Sequence, residues 1–186
     1  MSTVKLDLNG FEQLADKLDR AQAAEDAFYR KTIKELAARL LSKVVKRTPV
    51  GVAPSDLPES IYKEYWSGYA GGTLRRGWTA KTEAEAMNGS GQGTSIPAFL
   101  DGVEILHEGS AYHIVLLNPV RYASYVEYGH RQKPGRYVPA LGKRLKNSFV
   151  KGQYMLTLSE KELQSQAPRI IQERLEKFFR EVFDAE

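Results

Sequence analysis

The chain contains no cysteine, which excludes disulfide staples, cysteine-ligated zinc and thiol nucleophiles together. That absence fits synthesis in a reducing cytoplasm. Histidine is nearly as scarce. His107, His113 and His130 are the three in 186 residues, and none stands at a metal-ligand spacing from another. No stretch approaches the ~18 consecutive apolar residues of a membrane span. Residues 1–10 carry neither the basic flank nor the apolar run of a signal peptide. A soluble protein with no membrane partner is therefore expected.

Catalytic signatures are missing as well. No serine sits in a Gly-x-Ser-x-Gly elbow. Gly89, Gly91 and Gly93 crowd one segment, but no Gly-Lys-Ser/Thr follows them and Pro97 does. A flexible loop at about 86–96 is expected there in place of a phosphate cradle. Carboxylates are plentiful, yet no spacing pairs two of them for acid–base work. No enzyme activity, no cofactor and no metal are expected.

What the chain has is length, rings and uneven charge. Its 186 residues suit a single domain over residues 1–186 that buries a real core. Ten Tyr, seven Phe and two Trp supply large apolar bodies, and the Tyr and Trp tips suit wet interfaces. The net charge is a mild +4, but residues 30–47 hold seven bases and one acid, and residues 121–151 hold eight bases and one acid. Residues 81–110 reverse this with five acids and one base. Positive and negative flanks of this kind suit a head-to-tail oligomer, although a single charged segment is equally a solvated helix face.

The apolar periodicity predicts an α+β fold in which a long N-terminal helix and a C-terminal amphipathic helix pack on a small antiparallel sheet. Val4, Leu6 and Leu8 alternate as in a short strand or arm. Asn9 is a candidate cap for a short helix bearing Phe11, Leu14 and Leu18. A longer helix from about Ala24 to Arg47 follows, with Tyr29, Ile33, Leu36, Leu40 and Val44 as its apolar stripe. Thr48-Pro49 ends it, because a residue before proline is pushed out of the α region. Residues 52–72 read as a long irregular insert rich in glycine, proline and tyrosine. Strands are predicted over residues 73–81, 98–107 and 111–117, the last two joined through Glu108-Gly109-Ser110. Tyr122 to Tyr128 predicts one or two helical turns closed by Gly129. A turn around Pro134-Gly135, a helical segment over residues 153–163 and a final helix from about Pro168 complete the chain, with Ile171, Leu175, Phe178, Phe179, Val182 and Phe183 as the last stripe.

Two segments interleave cations with rings: Leu74-Arg75-Arg76-Gly77-Trp78, and residues 122–137. Such a mixture suits a nucleic-acid backbone with stacked bases. It is also the composition of protein–protein hot spots. No DNA-reading motif accompanies it, and protein interfaces are the favoured reading.

Three blocks carry a resemblance. Val45-Lys46-Arg47-Thr48-Pro49-Val50-Gly51, followed by Gly72-Thr73-Leu74-Arg75-Arg76-Gly77-Trp78, resembles the helix end, turn and Leu-Arg strand of the minor tail-component or tail-completion proteins of tailed bacteriophages. Tyr122-Ala123-Ser124-Tyr125-Val126-Glu127-Tyr128-Gly129 is similar to that family's Tyr-Glu-Tyr-Gly block. Gly152-Gln153-Tyr154-Met155-Leu156-Thr157 resembles the lead into its final amphipathic helix. The insert at 52–72 departs from the pattern, as does Gly77, which stands where the family has serine.

The resemblance implies a virion protein of the tail or neck, assembled in the bacterial cytoplasm. It implies a ring, six-membered by expectation, that ends the tail tube and joins it to the neck or head. The partners so implied are copies of itself, the tail tube protein and a head-completion or collar protein, with DNA only in passage through the lumen. Arg75, Arg76, Trp78, Tyr122, Tyr125, Glu127, Tyr128, His130 and Arg131 are the candidate interface residues, with Glu127 as an ion-pair partner. The opposing expectation places Tyr125 and Tyr128 in the core of their own fold. A neighbouring head-completion or adaptor protein, a DNA-binding protein and a hydrolase are the rival readings.

Overall fold

The computed structural model describes residues 9–88 and 95–184. The N-terminal strand or arm falls outside them apart from Asn9, as does most of the loop expected at about 86–96. In chain order the elements are α1 (Asn9–Arg47), α2 (Glu59–Tyr65), α3 (Thr73–Gly77), α4 (Glu83–Asn88), α5 (Ile96–Asp101), β1 (Leu106–Glu108) and β2 (Ala111–His113). They continue with α6 (Ala123–Tyr128), β3 (Gly129–Arg131), β4 (Tyr137–Val138), a 3₁₀ turn (Pro139–Leu141), β5 (Lys143–Arg144), β6 (Phe149–Lys151) and α7 (Met155–Phe183). The class is α+β, as the periodicity predicts. The strands, however, form three separate antiparallel ribbons, β1–β2, β3–β6 and β4–β5, instead of one small sheet.

The chain divides into two compact units. One takes residues up to Ala37, residues 104–114 and residues from Gln164 onward; the other takes 38–103 and 115–163. In the first, α1 and α7 run antiparallel. Lys17 donates to the Phe183 carbonyl, Phe28 packs on Phe178 at 4.7 Å, and Arg174 binds Glu35 at 2.6 Å. The β1–β2 hairpin turns at Gly109, whose φ of 60° is cheap only for glycine. Its Tyr112 ring stacks on His107 at 4.2 Å, meets Tyr29 at 5.3 Å, and its hydroxyl donates to Asp26 at 2.8 Å.

Helix boundaries depart from expectation in both long helices. α1 is one helix from Asn9, and Phe11, Leu14 and Leu18 lie exposed on it. α7 is one helix from Met155, with Pro168 inside it and not in a first turn. Ile170 and Phe178 turn inward on α7, whereas Ile171, Leu175 and Phe179 remain exposed. The apolar stripe is wider than the face this unit covers.

The second unit holds most of the buried apolar side chains: Leu41, Val44, Leu74, Trp78, Ala86, Leu100, Val120 and Met155. On α1 the inward face is Ala37, Leu41, Val44 and, just past the helix end, Thr48, at helical spacing but rotated from the predicted stripe. Residues 73–77 are helix, not strand. Leu74, Gly77 and Trp78 bury one face at i, i+3 and i+4, the helical period. Residues 96–101 are helical too, because the Ser95 hydroxyl caps the Ala98 N–H at 3.3 Å and Pro97 suits a first turn. The predicted strand there shrinks to Leu106–Glu108.

The insert is not irregular throughout, since α2 lies within it. Its ends meet: a side chain at Gly71 would stand 2.3 Å from the Gly51 carbonyl oxygen, and Gly71 has φ of 67°. A loop whose ends touch adds length without parting the elements it joins.

Two predictions follow from this packing. A Cβ at Gly77 would stand 2.2 Å from Asn118 Oδ1 and 2.9 Å from Val120. Asn118 is itself held, donating to the Leu74 carbonyl at 2.8 Å and accepting from the Val120 N–H at 3.2 Å. Overpacking of about 1–3 kcal/mol outweighs the helix-propensity gain of at most about 1 kcal/mol. Gly77→Ala is expected to lower the melting temperature; an unchanged value would mean that Asn118 moves aside freely.

The second concerns acid. Lys43 and then Arg47 (2.6 Å) bind the Glu162 carboxylate and hold it down at about 2 from an ordinary 4.5. A depressed acid contributes stability that is complete above its unfolded value and lost as pH falls through its folded one. The loss should therefore run from about pH 4.5 down to about 2. Acid-unfolding curves of Glu162→Gln against the parent should converge across that window and differ above it.

Candidate assembly interface

The Tyr122–Gly129 block is helix α6 with Gly129 closing it at φ 82° and ψ 174°. Six residues do not hold a helix alone, so its ends need outside partners. At the C-terminal end, the Val126 carbonyl accepts from Gln153 N–H at 2.8 Å and the Glu127 carbonyl from Tyr154 N–H at 3.0 Å. Glu127 returns the favour with its side chain. Its buried carboxylate accepts from the backbone N–H groups of Leu156 and Thr157, both at 2.9 Å, and from the Thr157 hydroxyl at 2.8 Å. Those N–H groups belong to the first turn of α7, which has no helical acceptor for them and favours negative charge. Glu127 thus caps the start of α7, and the two residues leading into α7 close the end of α6.

The joint demands close backbone approach. A Cβ on Gly152 would stand 2.2 Å from the Glu127 carbonyl oxygen and one on Gly129 would stand 2.3 Å from that of Val150. Tyr154, at φ 51°, is the one non-glycine residue among those described with a positive φ. The chain accepts that strain where it turns from β6 into α7.

With Glu127 held inward, the tyrosines point out. Tyr125 and Tyr128 are 60% and 61% exposed, and Tyr122 is 42% exposed. That removes the expectation that Tyr125 and Tyr128 are core residues. Burial first, then Tyr69 and Glu83, push the Tyr122 phenol above its ordinary value. The His130 ring lies 5.7 Å from that of Tyr125, and its Nδ1 is buried without a hydrogen-bond partner. Arg131 is exposed. Tyr122, Tyr125, Tyr128, His130 and Arg131 therefore fall on or beside one short helix, while Glu127 makes its bonds inside its own unit and is no surface ion-pair partner.

The other three candidates lie elsewhere and inward. Thr48, fully buried, is their centre. Its hydroxyl donates to the Val44 carbonyl and accepts from Trp78 Nε1, both at 2.7 Å. Its carbonyl accepts from Arg75 Nε at 3.1 Å and from the same guanidinium at 2.7 Å. Arg75 thereby completes the C-terminal end of α1, where a cation is favoured. Arg76 donates to the carbonyls of Ala86 and Gly71, each at 3.0 Å. Arg75, Arg76 and Trp78 thus tie the Thr-Pro turn to α3, with Trp78 buried and the two arginines half-buried. The sequence signal was a lone threonine before proline, which does not announce a buried hub.

Among the described residues no group of three His, Asp or Glu stands ready to hold a metal, and no helix is long and apolar enough to cross a membrane.

Exposed rings and cations thus lie beside a joint hydrogen-bonded from both sides. The chain belongs to the family described as "Bacteriophage HK97-gp10, putative tail-component", whose model matches residues 12–129. That family is one of structural tail proteins, and its match spans the Thr-Pro turn, the Leu-Arg helix and the tyrosine block. Among curated proteins and among solved structures, nothing matches.

Removing the Glu127 carboxylate leaves three buried donors unanswered. Glu127→Ala is expected to destabilise by on the order of 3 kcal/mol, read as a lower urea midpoint. Glu127→Gln should fall short of the parent as well, since its amide NH₂ must face an N–H donor. A midpoint equal to the parent's in both variants would show that α7 needs no such cap.

Proposed function

We propose that this protein is a ring-forming subunit that ends the tail tube of a phage or phage-like particle and joins it to the neck or head. The reading rests on the family membership together with one observation: Tyr125 and Tyr128 stand more than half in solvent, with Tyr122 less so at the helix start, on a helix whose inward carboxylate is locked. Tyrosine carries large contact area at little entropic loss and dominates interface hot spots. Rings held open on a rigid base lose little further freedom when a partner arrives. A closed ring needs two different faces that meet by rotation, and the tyrosine face supplies one of them. The opposing partners are the next copy, the tube protein and a head-completion or collar protein. Binding is the whole activity.

The test is the size of the purified chain and of tails assembled with it. The parent should give a ring by mass measurement and in micrographs, at the head-proximal end of tails. The Tyr125→Ala, Tyr128→Ala double variant should melt like the parent yet associate at least roughly 30-fold more weakly, the loss expected for a hot spot of about 2 kcal/mol. A parent that stays monomeric and is absent from tails would sink this reading.

A further inference from the structure

Past the tyrosine helix the chain makes an antiparallel arm over residues 129–151. Gly129, His130 and Arg131 pair with Lys151, Val150 and Phe149. The pairing continues through Gln132 N–H to the Ser148 carbonyl at 2.9 Å and Leu145 N–H to the Arg136 carbonyl at 2.8 Å. It ends in β4–β5, turned by Pro139–Leu141. Along it stand seven Lys and Arg and no Asp or Glu. Lys143 is bound to Asp56, and Arg144 donates to the Gly135 carbonyl. The other five, Arg131, Lys133, Arg136, Lys146 and Lys151, are exposed. Among the described residues no carboxylate lies within ion-pair distance of them.

The arm is braced at both ends. Its root is the Gly129–Gly152 joint. Its tip is held by the insert: Trp66 Nε1 donates to the Ala140 carbonyl at 2.6 Å, and Ile61 lies against Gly142. Like charges crowded on a stiff ribbon repel one another and work against folding, so an external polyanion is the natural counterpart. A second copy fits poorly. The most acidic stretch, residues 81–110, has five acids, and Glu83 is already bound to Arg121. Duplex DNA offers a negative charge every ~1.7 Å of its axis. Only two exposed rings, Tyr137 and Phe149, accompany the seven cations, which favours backbone contact over stacking on a single strand.

We propose that this arm is a sequence-indifferent contact for the phosphodiester backbone of duplex DNA, and that the insert at 52–72 exists to brace it. The inference goes beyond the assembly reading. The family match stops at Gly129, where the arm begins.

The experiment titrates the full chain against short duplexes of unrelated sequence by fluorescence anisotropy across salt. Five phosphate contacts give a slope near −4.5 in log K against log salt, a loss of roughly 500-fold between about 50 and about 200 mM. The variant Lys133→Gln, Arg136→Gln, Lys146→Gln should melt like the parent and show a slope shallower by up to roughly 2.7. Equal affinity for all sequences and that reduced slope support the proposal. No duplex binding at low salt, an unchanged slope in the variant, or tighter binding to a single strand would overturn it. So would a variant that binds duplex normally but fails to join tails, since the arm would then serve an acidic protein. The tyrosine double variant keeps the two readings apart: it should lose the ring and retain the duplex.

Discussion

The buried Glu127 carboxylate decides the shape of everything around it. A carboxylate taken out of water needs hydrogen-bond donors, and a helix start has donors with no acceptor. The first turn of α7 and the inward face of α6 solve each other's difficulty with three bonds of 2.8–2.9 Å. The backbone of residues 153 and 154 then closes the far end of α6. Because these bonds run both ways, neither helix can shift without exposing polar groups of the other. The consequence for function lies on the opposite side of α6. With position 127 committed inward, Tyr125 and Tyr128, about 160° and about 100° from it around the helix, face outward.

Thr48 does for α1 and α3 what Glu127 does for α6 and α7. A proline follows it and breaks the helix, so the end of α1 has open carbonyls. One guanidinium and one indole N–H, both supplied by the Leu-Arg-Arg-Gly-Trp segment, converge on that single residue. This explains why the two segments occur as a pair across an insert of some twenty residues. The insert leaves and returns at the Gly51–Gly71 contact, so Thr48 and Arg75 meet regardless of its length.

Much of this was readable in the sequence where period and punctuation agree. The α+β class, the helical turns of the tyrosine block with Gly129 as their stop, and the turn at Gly109 all follow from local chemistry. The errors share a cause. Residues 73–81 were expected as a strand, whereas Leu74, Gly77 and Trp78 satisfy the helical period and burial follows that face. Pro168 was expected to start a helix because its missing N–H is harmless there; here tertiary packing on both sides carries α7 across it. Arg75, Arg76 and Trp78, a different case, were expected at a subunit or partner interface because cations and rings suit interfaces. The same groups suit a buried helix end equally well, and only their distance from Thr48 distinguishes the two roles. Nothing in a one-dimensional pattern reports that distance.

The same contrast organises the charge. Basic residues near the α1 end have acceptors waiting: Arg75 finds a carbonyl, Lys43 and Arg47 find Glu162, and Arg174 finds Glu35. The arm itself holds no acid, and among its cations Lys143 alone has an ion pair, with Asp56 of the insert, among the described residues. A fold under no other demand would place an acid across each ribbon from at least some of those cations, as cross-strand pairs favour. Arg131 instead faces Phe149, and Tyr137 faces Arg144. The tyrosine helix and the cationic arm thus leave the Gly129–Gly152 joint as two separate surfaces on one rigid base. The proposed grip on neighbouring subunits and the proposed hold on DNA therefore differ in chemistry and in salt dependence, and meet at His130 and Arg131 beside the glycine joint.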